Sequence, residues 1–228
     1  MVSNNPSGKS GAQKATLICF AVKEEAAPFL KFAKENPGIS VLITGMGRKH
    51  AEHALLQSLP KSLPSLVLTC GFAGALDPRL KIGDVVFDAD PESRLAPTLQ
   101  EAGAVPAKFH CATRVATTIA EKTELRKSTG ADVVEMESQF IRNLCREKKI
   151  PSATLRVISD SALDDLPLDF NELMDADQTL SFSKLSLALV KSPGKIPQLM
   201  QLQKNTRFAA QKLADVLSEL LGAGSGGS

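Results

Sequence analysis

The chain has 228 residues, a net charge of +2 and 43% hydrophobic residues. That is enough apolar chain for one domain with a real core, and too little charge for an electrostatic nucleic-acid footprint. No apolar run reaches the length of a membrane span, so stable membrane insertion is not expected.

The four cysteines, Cys19, Cys70, Cys111 and Cys145, stand far apart, without a CxxC or Cys/His cluster. No metal site is expected, and buried, reduced thiols suit a cytoplasmic protein. Residues 1–14 read as a disordered tail, 15–221 as the folded domain, and 222–228 ("GAGSGGS") as a flexible tail. The "SGKS" of residues 7–10 lacks the leading glycine and the preceding strand of a phosphate loop.

Short apolar runs alternate with helical segments. Strands are expected at 16–22, 39–44, 65–70, 81–87, 108–115, 131–134 and 152–159. Helices are expected at 23–35 (with Pro28 in the first turns), 48–59, 118–128, 136–149, 182–191 and 195–221. In the helix at 136–149, Met136, Phe140 and Leu144 form the apolar stripe. "GFAGALDP" after the third strand reads as a loop of small residues.

This alternation predicts an α/β fold with a largely parallel sheet covered on both faces. Ligands bind such sheets beyond the carboxyl ends of the strands. The residues there are Glu24 and Glu25, then Gly45-Met46-Gly47, Gly71-Phe72-Ala73-Gly74, Glu135-Met136-Glu137, and Ser159-Asp160. Acids at three strand ends and glycine turns at two others suggest one convergent polar site. Each acid also has a plainer reading. Glu24-Glu25 or Glu135 and Glu137 could favour a helix N-terminus, Asp160 could cap a turn, and Arg156 could sit in a structural ion pair. "GMGRKH" lacks the third glycine of a dinucleotide fingerprint, which disfavours an oxidoreductase. His50 and His53 read as surface residues.

The segments "AVKEEAAPFL", "TGMGRKHAEHAL", "CGFAGALDPRLKIGDVV", "VVEMES" and "LRVISDSA", in this order, resemble the purine nucleoside phosphorylase and nucleosidase family. The nearest likeness is to methylthioadenosine/S-adenosylhomocysteine nucleosidases and hopanoid-associated phosphorylases. The resemblance implies a three-layer α/β/α sandwich with a mixed, largely parallel sheet. It implies an enzyme that cleaves the N-glycosidic bond of a purine nucleoside, adenine foremost, without a metal or organic cofactor. The family's oligomers imply a homodimer or larger assembly.

Carried over residue by residue, Asp160 matches the acid that protonates the departing base. That role requires a site that raises its pKa. Glu137 matches the ligand of the ribose hydroxyls, with Glu135 as a second partner and Met136 packed on the sugar. Glu25 matches the base that activates water, and Arg156 its positioning partner. On a regular strand Arg156 and Asp160 share a face, about 13 Å apart. Phe72, Ala73, Gly74, Gly47, Val115 and Ser159 complete the expected substrate wall.

Thr69 and Phe72 stand where phosphorylases of the family hold phosphate, which favours water as the nucleophile. Phosphate as co-substrate remains open through Arg48, Lys49 or Arg156. So does phosphorolysis of an adenosyl-lipid, or binding without turnover. The family's base-stacking aromatic has no counterpart; Val115, Ala116 and Thr117 stand near its place, and the chain has no Tyr or Trp.

Overall fold

The computed structural model describes residues 15–59, 63–175 and 182–222. The tail expected at 1–14 lies outside them, as does the tail expected at 222–228 apart from Gly222, which ends the last helix. The strands are β1 (Thr16–Phe20), β2 (Ile39–Ile43), β3 (Leu66–Ala75), β4 (Val85–Ala89), β5 (Val105–Pro106), β6 (Phe109–Cys111), β7 (Val133–Glu135) and β8 (Ser152–Asp160). The helices are α1 (Lys23–Ala26), α2 (Leu30–Glu35), α3 (Arg48–Ser58), α4 (Ala96–Glu101), α5 (Ile119–Thr129), α6 (Ser138–Glu147), α7 (Phe170–Leu173), α8 (Phe182–Lys191) and α9 (Ile196–Gly222).

Among the described residues all eight strands join one sheet, ordered β2-β1-β3-β8-β4-β5, with β7 on the far end of β3 and β6 beside β7. The pairings β1–β2, β1–β3, β3–β8, β4–β5 and β6–β7 are parallel; β3–β7 and β4–β8 are antiparallel. This is the largely parallel sheet that the alternation predicts, mixed as the resemblance implies.

The period of two in β1 builds the layers. Ile18 and Phe20 face a core closed by Phe29, Leu99 and the buried stripe Ala209, Leu213, Ala214, Leu217 of α9. Leu17 and Cys19 face the opposite core, closed by Ala51 and Leu55 of α3 and Ile141 and Cys145 of α6. Cys19, Cys70 and Cys145 are buried free thiols, and Cys111 is half-buried.

Four expectations change. The helix at 23–35 splits into α1 and α2, because Pro28 has no amide to continue the ladder; Ala27 N to Lys23 O closes α1, and a tighter bond three residues back, Phe29 N to Ala26 O, spans the break. The loop expected after residue 70 is instead the second half of β3, paired to β8 and to the antiparallel β7. The strand at 81–87 begins only at Val85, after a turn in which Asp84 N donates to Lys81 O. In α6 the buried stripe is Ser138, Ile141, Arg142 and Cys145, rotated from the expected Met136, Phe140 and Leu144. The helix starts at Ser138, so Met136 precedes it.

The long C-terminal helix should carry much of the stability. Replacing the fully buried Leu213 by alanine should cost about 2–5 kcal/mol, read from urea unfolding. A loss within error would show that α9 is not part of the core.

Candidate active site

The carboxyl ends of β1, β3, β7 and β8 surround a cavity of about 200 Å³. Glu25, Phe72, Ala73, Gly74, Val115, Glu135, Met136, Glu137, Ser159 and Asp160 all line it. Arg156 and Gly47 stand behind the wall and hold its acids. The sequence-expected residues are therefore brought together, although they come from strand ends spread over the whole chain.

Arg156 organises the cluster. It is 1% exposed. Its Nη2 donates to Glu135 Oε2 at 2.7 Å, to Glu137 Oε2 at 3.4 Å and to Thr69 Oγ1 at 3.3 Å. Its Nη1 donates to Cys70 O at 3.0 Å. Burial works against the guanidinium's charge, but Glu135, Glu137 and Glu25 outweigh it and hold the proton more tightly than usual.

The two glutamates of "EMES" have different environments. Glu135 Oε2 accepts from the amides of Glu137 and Ser138 at 2.9 and 2.7 Å, and Oε1 accepts from Ser138 Oγ at 2.8 Å. It satisfies the amino end of α6 and pairs with Arg156. Burial pushes its pKa up, but Arg156 and these hydrogen bonds leave it below the usual range.

Glu137 Oε1 accepts from Gly47 N at 2.8 Å. Gly47 has φ 78°, a conformation that favours glycine and lets this amide meet the acid. Burial and, less strongly, the charge of Glu135 raise Glu137 to about 7, although Arg156 opposes them. Glu137 thus keeps spare acceptor capacity at the cavity.

Glu25 is also buried. Its Oε2 accepts from Ala21 N at 2.9 Å and Val22 N at 3.1 Å, and Oε1 accepts from Phe72 N at 2.8 Å. Burial raises its pKa against the pull of Arg156 and these amides. The acid thus locks the start of α1 and the turn of β3 together while facing the cavity. Its neighbour Glu24 is exposed and outside the cavity lining. Close approach explains Gly71: a Cβ there would stand 2.4 Å from Arg156 Nη1 and 2.6 Å from Glu25 Oε1.

Asp160 departs from the regular-strand expectation. The β3–β8 register slips after Ala73↔Ile158, so Gly74 pairs with Asp160 and Ser159 is the extra residue of a bulge. Bulges of this kind re-aim side chains. Ser159 Oγ donates to Asp160 Oδ1 at 2.8 Å, and Lys122 Nζ lies 2.7 Å from Oδ2. The nearest neighbour of this carboxyl is therefore a buried ammonium, which nothing in the sequence signals. Asp160 also borders a larger cavity of about 510 Å³, between the chain after β8 and α9.

Lys122 and Asn171 escaped the sequence reading. Lys122 lies in a charged helix and has no motif around it. Asn171 clamps the strap that carries Val115, accepting from Val115 N at 2.9 Å and donating to Val115 O at 3.0 Å. The phosphate candidate Arg48 is turned outward, paired with Glu52 at 3.0 Å and 4.8 Å from the Phe140 ring centroid. His53 is exposed, as expected, but His50 is half-buried, packed over the Gly45 turn. Among the described residues no cluster of His, Cys, Asp and Glu could hold a metal ion, and no helix is long and apolar enough to cross a membrane.

Comparison with known proteins gives a consistent picture. Residues 99–191 match the Phosphorylase superfamily. A 5′-methylthioadenosine/S-adenosylhomocysteine nucleosidase of Staphylococcus carnosus is 24% identical over 207 residues, covering 75% of this chain and 90% of that protein. The futalosine hydrolase of Helicobacter pylori superposes with a TM-score of 0.69 at 17% identity, covering 94% of this chain and 100% of that one. The Campylobacter jejuni 5′-methylthioadenosine/S-adenosylhomocysteine nucleosidase does so with a TM-score of 0.67 at 17% identity, covering 92% and 99%.

The buried charges make two measurable differences. Glu135→Gln removes the strongest partner of a buried guanidinium and should destabilise the fold by roughly 3 kcal/mol in urea unfolding; a change near zero would contradict the pairing. For Glu137, the folded pKa lies above the unfolded one. The stability held by its proton is present below about 4.5 and lost as pH rises through about 7. Glu137→Gln should therefore gain thermal stability relative to wild type between pH 5 and pH 8. A gap that does not change with pH would exclude the raised pKa. In sequence and in fold, the chain resembles the purine nucleoside phosphorylase and nucleosidase family.

Proposed function

We propose that this protein is an enzyme that cleaves the N-glycosidic bond of a purine nucleoside, with water as nucleophile and adenine as the foremost base. The observation that carries the reading is the convergence of Glu25, Glu137 and Asp160 on one small cavity at the carboxyl ends of the strands. Relatives that are nucleosidases by name support the reaction class.

The chemistry assigns each acid a task. Breaking the bond leaves positive charge on the sugar and an electron pair on the base. Asp160 protonates the base as it departs. Glu137 accepts hydrogen bonds from the ribose hydroxyls, with Met136 against the sugar face. Glu25 takes a proton from the attacking water, and burial raises its pKa, which makes it the stronger base. Arg156 keeps the cluster from repelling itself. Glu135 serves Arg156 and α6 more than the substrate.

Water is favoured over phosphate by the state of the cations. Arg156 is already shared among two carboxylates, a carbonyl and a hydroxyl, and Arg48 faces outward. A dianionic phosphate would also meet Glu25, Glu135 and Glu137 at close range. Cleavage by these residues requires no metal or organic cofactor.

Asp160→Asn should cut turnover of methylthioadenosine about 10²–10⁴-fold, and because it removes the carboxylate from the buried Lys122 ammonium it should also lower the melting temperature while leaving the fold, read by circular dichroism, intact. Glu25→Gln should slow turnover while nucleoside binding, followed by calorimetry, stays within a few fold. Near-normal turnover in either variant would remove that residue from the mechanism.

A further inference from the structure

Lys122 is among the most deeply buried side chains of the chain, at 1% exposure. A buried lysine is costly unless its ammonium is fully engaged. Lys122 Nζ, reaching from α5, meets three acceptors: Asp160 Oδ2 at 2.7 Å, Ser161 O at 2.6 Å and Asp164 O at 3.1 Å. The segment after β8 is tied to the same helix start twice more. Leu166 N donates to Thr117 O at 2.8 Å, and Ile119 N donates to Asp165 Oδ1 at 2.7 Å. Amide-to-acceptor bonds would have held this segment without a buried lysine. The lysine needs another account.

The count of donors supplies one. An ammonium has three N–H donors, one for each acceptor. A neutral amine has two donors and one lone pair. Those two donors still serve the two carbonyls, and the lone pair can accept a hydrogen bond from a protonated Asp160. The proton between Nζ and Oδ2 can therefore lie on either partner without leaving a buried polar atom unmatched. An aspartate paired with arginine would lack this symmetry, because a guanidinium does not give up its proton in a protein.

We propose that Lys122 is a positioning residue that stores and resupplies the proton Asp160 delivers to the departing base. The proposal rests on the reading of Asp160 as the acid. As the C–N bond breaks, its electron pair goes to the base, and a proton passes from Asp160 to a ring nitrogen. Lys122 passes one proton to Asp160 and becomes a neutral amine. After the products leave, Glu25 releases to solvent the proton it took from the attacking water, and Lys122 takes one back from solvent. Atoms and charge balance over the cycle, and the lysine never touches the substrate.

The test compares two leaving groups. Methylthioadenosine releases a base that needs a proton; a 4-nitrophenyl riboside releases a phenolate that does not. For wild type, Lys122→Met, Lys122→Arg and Asp160→Asn, kcat and KM would be measured on both. The ratio of kcat on methylthioadenosine to kcat on the riboside should fall about 100-fold in Lys122→Met, with little change in KM. Lys122→Arg should keep the charge but not restore the ratio. If Lys122→Met fails to melt cooperatively, Lys122→Arg alone decides. Equal losses on both substrates would make Lys122 merely structural, and a ratio restored by arginine would make its role one of charge; either overturns the proposal. An unchanged ratio in Asp160→Asn would instead overturn the acid assignment, and this proposal with it.

Discussion

The buried guanidinium of Arg156 is the interaction on which the site depends. Three carboxylates are drawn below the surface at one end of the sheet, and none could be buried there as an isolated charge. Arg156 touches two of them and lowers the cost of the third through space. Its place on β8, a central strand paired to β3 and β4, makes it rigid. Gly71, opposite Arg156 in the β3–β8 register, leaves the room it needs.

The compensation is uneven, and that unevenness gives the site its chemistry. Glu135 receives the short ion pair, two amides and a hydroxyl, so it stays ionised and structural. Glu137 receives one amide and a longer contact with the same arginine. Glu25 receives three amides but only the distant field of Arg156. Two of the three acids are therefore left with raised pKa values, Glu137 at about 7, where a group can exchange protons near neutral pH. One cation shared among three acids is enough to keep the fold and too little to quench the site.

Much of this arrangement was legible in the sequence because it is set by strand ends. The runs at 16–22 and 152–159 mark β1 and β8, and the residues just after each run must lie at the ligand-binding edge of a parallel sheet. The rest was hidden for identifiable reasons. The glycine- and alanine-rich run 71–75 looks like a loop, because Gly71 must leave room for Arg156 and Glu25, and Gly74 for Asp160. The bulge at Ser159 has no local signature, so the regular face assumed for Arg156 and Asp160 was wrong. Lys122 sits among exposed charges on α5 and becomes visible only when the chain after β8 folds over it. Pro28, a residue that a first helical turn tolerates, instead divides α1 from α2.

The most direct test of the account is release of free base in phosphate-free buffer. The protein would be incubated with methylthioadenosine, S-adenosylhomocysteine, adenosine and inosine, with and without added phosphate, and the products separated by chromatography. The expected result is free base and free sugar, at a rate that phosphate does not raise. Release that requires phosphate and yields a sugar 1-phosphate would contradict the assignment of Glu25 to water. No release from any of the four would contradict the purine-nucleoside reading of the site.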